Sequence, residues 1–166
     1  MASGQQIERR AQRLQPQQRR FILMLSVSFR RLALLWTVRR VPTNGERPRV
    51  LVVDGNPDGA FTIAAYLSLE DIASRAAFGG RQATEAARVW TPHVILMDVS
   101  MPECDGIEAA RVLRRDSRTA GIAIIAFTAF DEVEVRRQLR DSEFDGYLQK
   151  GVALTEMLKL VKAFIQ

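Results

Sequence analysis

Asp98 closes a run of four apolar residues, Val94-Ile95-Leu96-Met97, and is followed by Val99-Ser100-Met101-Pro102 and then Asp105-Gly106. A carboxylate can accept a phosphoryl group to give an acyl phosphate, provided that charge on the transferring oxygens is neutralised during in-line transfer. Open parallel sheets place such chemistry just beyond the carboxyl ends of their strands. Three other segments end in the same way: Val50-Leu51-Val52-Val53 in Asp54, Ile122-Ala123-Ile124-Ile125-Ala126-Phe127 in Thr128-Ala129, and Phe144-Asp145-Gly146-Tyr147-Leu148 before Lys150. Neighbouring strands would bring two carboxylates, one hydroxyl and one ammonium to one edge.

The elements that must position these groups follow from patterning. An apolar run without alternation suits a central strand covered on both faces. Strands are expected near 49–53, 74–78, 93–97, 122–127 and 144–148, and helices near 57–70, 81–90, 105–115, 131–141 and 153–165. The second strand, Ser74-Arg75-Ala76-Ala77-Phe78, has little β-branched content and reads as an edge. The last helix repeats Leu154, Met157, Leu158, Val161 and Ile165 at helical spacing.

With Val-Val-Asp near its start, Met-Asp followed by Met-Pro and Asp-Gly, Thr-Ala after the fourth strand and Lys after the fifth, the chain resembles the receiver domains of two-component response regulators. The resemblance covers residues 49 to 166. It implies a flavodoxin-like, doubly wound α/β fold, (βα)5, whose five-stranded parallel sheet has the order 2-1-3-4-5. It also implies that Asp98 accepts a phosphoryl group and that Mg²⁺ is held by Asp54, Asp98 and the backbone carbonyl of Ser100. Lys150 would pair with Asp98 and then with a phosphoryl oxygen, and Thr128 would donate its hydroxyl to the phosphoryl group. Tyr147, three residues before Lys150, matches the aromatic whose ring turns inward as the Thr128 loop moves.

Two positions depart from the family pattern. Receivers usually carry two adjacent acids after the first strand, and here Asp54 is followed by Gly55. The missing carboxylate removes a gross attraction of about 8 kcal/mol for a divalent ion at 4 Å and an effective dielectric of 20, most of it returned by water. Weakened metal binding is therefore expected. A proline usually follows the lysine, and here Gly151 replaces it, which predicts a more mobile loop.

Other residues read as structural. Asn56-Pro57 looks like an N-cap with proline at the first helical position, which puts Asp58 in the first turn where the helix dipole favours acids. His93 has no second ligand close in sequence, Cys104 reads as loop packing, and Trp90 caps the second helix against the core.

The net charge of +5 divides unevenly. Residues 1–48 hold ten Arg and two Glu, a net +8, and residues 49–166 hold fourteen Lys or Arg against seventeen Asp or Glu, a net −3. The basicity belongs to the leader, so direct nucleic-acid binding by the domain is not expected. A single cysteine excludes an intrachain disulfide and a cysteine-based zinc site. With 47% hydrophobic and 26% charged residues, the composition is that of a globular protein.

Residues 1–48 are expected to form a poorly ordered or partly helical basic leader. Phe21 to Val41 contains the apolar clusters Phe21–Leu25 and Leu32–Trp36, interrupted by Arg30-Arg31. A spanning helix needs about 20 apolar residues, and a central Arg costs about 2.5–3.5 kcal/mol. The runs here are too short to span, and a small-residue cleavage pattern is missing, so membrane contact would be limited to the surface. Val41–Pro48 has linker composition, and the domain is expected from residue 49.

The resulting expectation is a cytoplasmic, single-domain receiver with no output domain after Gln166. It would work as a phosphoprotein in phosphorelay signal transduction, phosphorylated by a sensor histidine kinase or a histidine phosphotransfer protein. It would bind an output protein through the fourth helix, fifth strand and fifth helix, and would not be an enzyme beyond handling its own aspartyl phosphate. The alternative is a degenerate receiver acting as a phosphorylation-independent interaction module.

Overall fold

The computed structural model describes residues 32–101, 106–139 and 143–166. Among the described residues, six strands and five helices follow in chain order: β1 (Ala33–Leu35), β2 (Arg49–Val53), α1 (Pro57–Leu69), β3 (Ala73–Ala77), α2 (Gly80–Trp90), β4 (Val94–Met97), α3 (Gly106–Arg115), β5 (Ala123–Thr128), α4 (Glu132–Gln138), β6 (Gly146–Gln149) and α5 (Leu154–Ala163).

The strands β2 to β6 are parallel, and the sheet runs β1-β6-β5-β4-β2-β3. Counted from β2, the parallel part has the expected order 2-1-3-4-5. The expectation of five strands needs correction by one. Ala33–Leu35 pairs antiparallel with β6, Ala33 opposite Leu148 and Leu35 opposite Gly146. The physical reason is the edge: without it β6 would present a row of unpaired backbone groups, which sheets tend to cover. Three apolar residues beyond an arginine pair carry too little pattern to announce such a strand.

Strand alternation divides the core between the two faces. Leu51, Val53, Ile95, Met97, Ile124, Ala126 and Tyr147 pack with Ala83, Ala87, Ile107, Ala110, Leu113 and Val135 from α2, α3 and α4. On the other face Val50, Val52, Val94, Leu96, Ile125, Phe127 and Leu148 pack with α1 and α5. α5 buries Met157, Leu160 and Val161, with Phe164 just beyond it, whereas Leu154 is exposed and Leu158 only half-buried. The inward stripe is thus rotated from the one expected.

The Asn56-Pro57 helix start is as read from the sequence. Asn56 caps α1, its side-chain oxygen accepting the N–H of Asp58 (3.0 Å) and Gly59 (3.4 Å), with Pro57 in the first turn. α4 opens on a capping box in which Asp131 and Glu134 bond each other's backbone N–H. Val41–Pro48 is not an extended linker: Val41 bridges Ile165, and Asn44-Gly45 makes a turn at positive φ.

Candidate functional site

The site is assembled by strand register. Val53 lies beside Met97 in the β2–β4 pair, so the next residues, Asp54 and Asp98, leave adjacent strands at the same edge. Thr128 lies beside Gln149 in the β5–β6 pair, so Lys150 begins its loop next to Thr128. The N–H of Asp98 bonds the carbonyl of Val53 (2.9 Å), and the N–H of Lys150 bonds the carbonyl of Thr128 (2.8 Å). The four residues expected at one edge are therefore neighbours there.

The ammonium of Lys150 joins the two carboxylates, at 2.7 Å from Asp98 Oδ2 and 2.8 Å from Asp54 Oδ2. Each carboxylate is held on its other oxygen by its own loop. Asp54 Oδ1 accepts the Asn56 N–H at 2.9 Å, and Asp98 Oδ1 accepts both the Ser100 N–H (2.9 Å) and the Ser100 hydroxyl (3.0 Å). Both aspartates are buried, while Lys150 reaches them from a half-buried position. Burial opposes the lysine's charge, but the hydrogen bonds and attraction of Asp54 and Asp98 outweigh it and hold Lys150 above its ordinary value.

Thr128 is fully buried and contacts the centre through its backbone, while its hydroxyl accepts the Phe130 N–H at 3.3 Å. Tyr147 is buried on the adjacent strand β6, and its hydroxyl donates to the Phe130 carbonyl at 2.8 Å. Burial foremost, and then the nearby Asp131, Glu132 and Glu134, push its phenol up to about 12.

Two close approaches shape the loops. A Cβ placed on Gly106, the first residue of α3, would lie 1.9 Å from the Asp98 carbonyl oxygen, so only glycine lets α3 begin there. Gly151 uses φ +89°, a conformation that side chains rarely adopt, whereas Gly55 does not use a positive φ.

His93 is buried and structural. Its Nδ1 accepts the Arg49 N–H at 2.9 Å, and burial, with Arg49 nearby, lowers its pKa despite an opposing pull from Glu46. Asp58 occupies the first turn of α1, and Trp90 ends α2 with the Arg75 guanidinium over its ring. Pro102, Glu103, Cys104 and Asp105 lie outside the described residues, as does the leader before Leu32.

Two residues that tie the β1 segment to the sheet escaped the sequence. Asp145 is buried and gathers the Arg39 and Arg114 guanidiniums, the Thr37 hydroxyl and the Ile124 N–H. Trp36 stacks on Tyr147, with ring centroids 5.9 Å apart and planes 13° from parallel. For Asp145 the signal was an acid directly before a strand glycine; for Trp36 it was an aromatic closing the Leu32–Trp36 cluster.

An all-oxygen set of two carboxylates and a loop carbonyl suits a hard cation such as Mg²⁺, which keeps several of its waters. Among the described residues no group of three or more His, Cys, Asp or Glu could hold a metal. No described helix is long and apolar enough to cross a membrane.

Residues 50–162 match the response regulator receiver domain. The DNA-binding dual master transcriptional regulator RpaA of a Synechocystis strain is 31% identical over 119 residues, which are 72% of this chain and 49% of RpaA. Protein PilH of Pseudomonas aeruginosa is 30% identical over 117 residues, 70% of this chain and 97% of PilH. The receiver domain of a Francisella response regulator superposes with a TM-score of 0.62 at 29% identity, covering 70% of this chain and 95% of that one. The chain thus spans about half the length of RpaA and nearly all of PilH.

Proposed function

The chain belongs to the response regulator receiver family, the signalling modules of phosphorelays that typically bind Mg²⁺ at an acidic pocket, and on that premise we propose that Asp98 is its phosphoacceptor. The observation that carries this reading is the Lys150 ammonium bridging Asp98 and Asp54 at 2.7 and 2.8 Å. A buried carboxylate with one oxygen fixed by Ser100 and the other on a movable cation is both oriented and ready to exchange partners.

The transfer is a single displacement. An Asp98 Oδ attacks the phosphorus of a phosphohistidine, an O–P bond forms, and the P–N bond breaks with its electron pair returning to the imidazole. Lys150 follows the charge from the carboxylate to a phosphoryl oxygen. Thr128, at the end of β5, turns its hydroxyl from the Phe130 N–H to the phosphoryl group, and that movement reaches Tyr147 through the Phe130 carbonyl. Asp54, Asp98 and the Ser100 carbonyl would hold Mg²⁺, which when bound neutralises the phosphoryl oxygens. Gly55 leaves that binding weaker than with a second acid.

The phosphodonor is a sensor histidine kinase or a histidine phosphotransfer protein, and the phosphorylated state is read by a protein bound across α4, β6 and α5. The activity is a phosphoswitch in the cytoplasm, with no turnover of a separate substrate. The net −3 of residues 49–166 supports protein contact in preference to direct nucleic-acid binding.

Beryllofluoride added over a Mg²⁺ titration tests the reading, with backbone amide signals of Thr128 and Lys150 as the readout. Wild type should respond saturably and Asp98→Ala should not. A wild type that stays silent at every Mg²⁺ concentration would leave the phosphorylation-independent interaction module in its place.

A further inference from the structure

We infer that Ala33–Thr37 is a built-in strap whose Trp36 positions Tyr147, so that docking of the strap and occupancy of the Asp98 site favour each other. The inference rests on the phosphoacceptor reading above. The strap itself lies outside the 50–162 match to the family.

Covering the edge of β6 would need only backbone pairing, yet this segment does more. Beyond the β1–β6 ladder, the N–H groups of Trp36 and Thr37 both donate to the Asp145 carbonyl, at 2.8 and 3.0 Å. The Thr37 hydroxyl and the Arg39 guanidinium hold the Asp145 carboxylate at 2.9 and 2.8 Å. Gly146 leaves room for the crossing: a Cβ there would lie 2.8 Å from the Leu34 carbonyl oxygen and 3.1 Å from Phe164 Cζ. The anchor and the clearance are both specific to this segment.

The anchor places the Trp36 indole against Tyr147 and α4 together. Besides stacking on Tyr147, its Nε1–H donates to Glu132 Oε1 at 3.2 Å, and the Arg136 guanidinium lies 4.2 Å from the ring centroid. Arg136 also pairs with Glu132 at 2.8 Å. Tyr147 then donates to the Phe130 carbonyl, the Phe130 N–H donates to Thr128, and the Thr128 carbonyl accepts from the Lys150 N–H. Packed contacts thus run without a gap from the strap to the lysine that holds Asp98.

The sign follows from the geometry. With the strap docked, Tyr147 is 1% exposed and bonded to the loop that carries Thr128. Removing Trp36 opens one side of that ring to water and loosens its hold on the loop. The resemblance implies that this ring turns inward as the Thr128 loop moves toward Asp98, so a strap that holds Tyr147 inward favours occupancy of the site, and by reciprocity occupancy tightens the strap. A protein reader of this face therefore meets the strap's edge, and not a bare β6.

The experiment uses the full chain with Mg²⁺ and beryllofluoride. Thr128 and Lys150 amide shifts give the half-saturating concentration, and hydrogen exchange follows the Trp36 and Thr37 amides. In wild type, saturation should slow exchange at both amides by about fivefold or more. Trp36→Ala should raise half-saturation by a similar factor, and Trp36→Phe, which keeps an aromatic on Tyr147, should restore most of it. Gly146→Ala displaces the strap while keeping Trp36 and should shift half-saturation in the same direction, which covers the case in which Trp36→Ala fails to fold. Unchanged half-saturation in the strap variants, or faster exchange on saturation, overturns the coupling alone. A silent wild type overturns the phosphoacceptor reading, and the coupling falls with it.

Discussion

Gly106 and Asp98 approach each other so closely that a single methyl group at residue 106 would sit 1.9 Å from the Asp98 carbonyl oxygen. The start of α3 therefore helps to fix the backbone of the residue proposed as phosphoacceptor. Gly106→Ala should force the two segments apart and cost about 1–3 kcal/mol or more. Urea denaturation would measure the loss, and the Ser100 amide signal should shift as the Asp98 turn is disturbed.

Lys150→Met leaves two buried carboxylates facing each other with no cation between them. The variant should lose about 2 kcal/mol at pH 7, a value kept low because Lys150 is partly open to solvent. Urea melts of wild type and variant at pH 7 check this, and a variant as stable as wild type would argue against a role for Lys150 in holding the two carboxylates together.

His93 gives a second pH dependence of predictable sign. Its folded pKa lies below the ordinary 6.5, so the unfolded chain binds the proton more readily. Its contribution is complete above about pH 6.5 and is lost as pH falls from there through the folded value, by at most about 1.4 kcal/mol per pH unit. Stability measured from pH 8 to 5.5, together with an NMR titration of His93, tests this. A His93 pKa above 6.5 would contradict it.

Asp145→Asn removes the charge that Arg39 and Arg114 share while leaving the side chain's size almost unchanged. Breaking this buried cluster should cost about 3 kcal/mol by urea denaturation. Amide exchange at Trp36 and Thr37 should speed up, because their segment is tied to Asp145 by side chains as well as backbone.

The parallel sheet was legible because Val50–Val53, Val94–Met97 and Ile122–Phe127 are unbroken apolar runs, each delivering a polar residue to the same edge. The Asp54–Asp98–Lys150 contact followed from that order. What escaped depends on contacts distant along the chain. Trp36 meets Tyr147 more than a hundred residues away, and nothing in Ala33-Leu34-Leu35 itself distinguishes an edge strand from an apolar patch in a basic leader. Asp145 looked like a strand residue because its arginine partners, Arg39 and Arg114, come from separate segments. The rotated stripe of α5 has a similar origin: Phe164 is drawn inward beside Gly146, a gap that only the folded sheet creates.

Labelling by acetyl phosphate over a Mg²⁺ series, read as the mass of the intact chain and located by peptide mapping, tests the central claim most directly. The account predicts a single Mg²⁺-dependent phosphoryl group on wild type, none on Asp98→Ala, and a lower Mg²⁺ requirement for Gly55→Asp. No label at any Mg²⁺ concentration, or a label that survives Asp98→Ala, would contradict it.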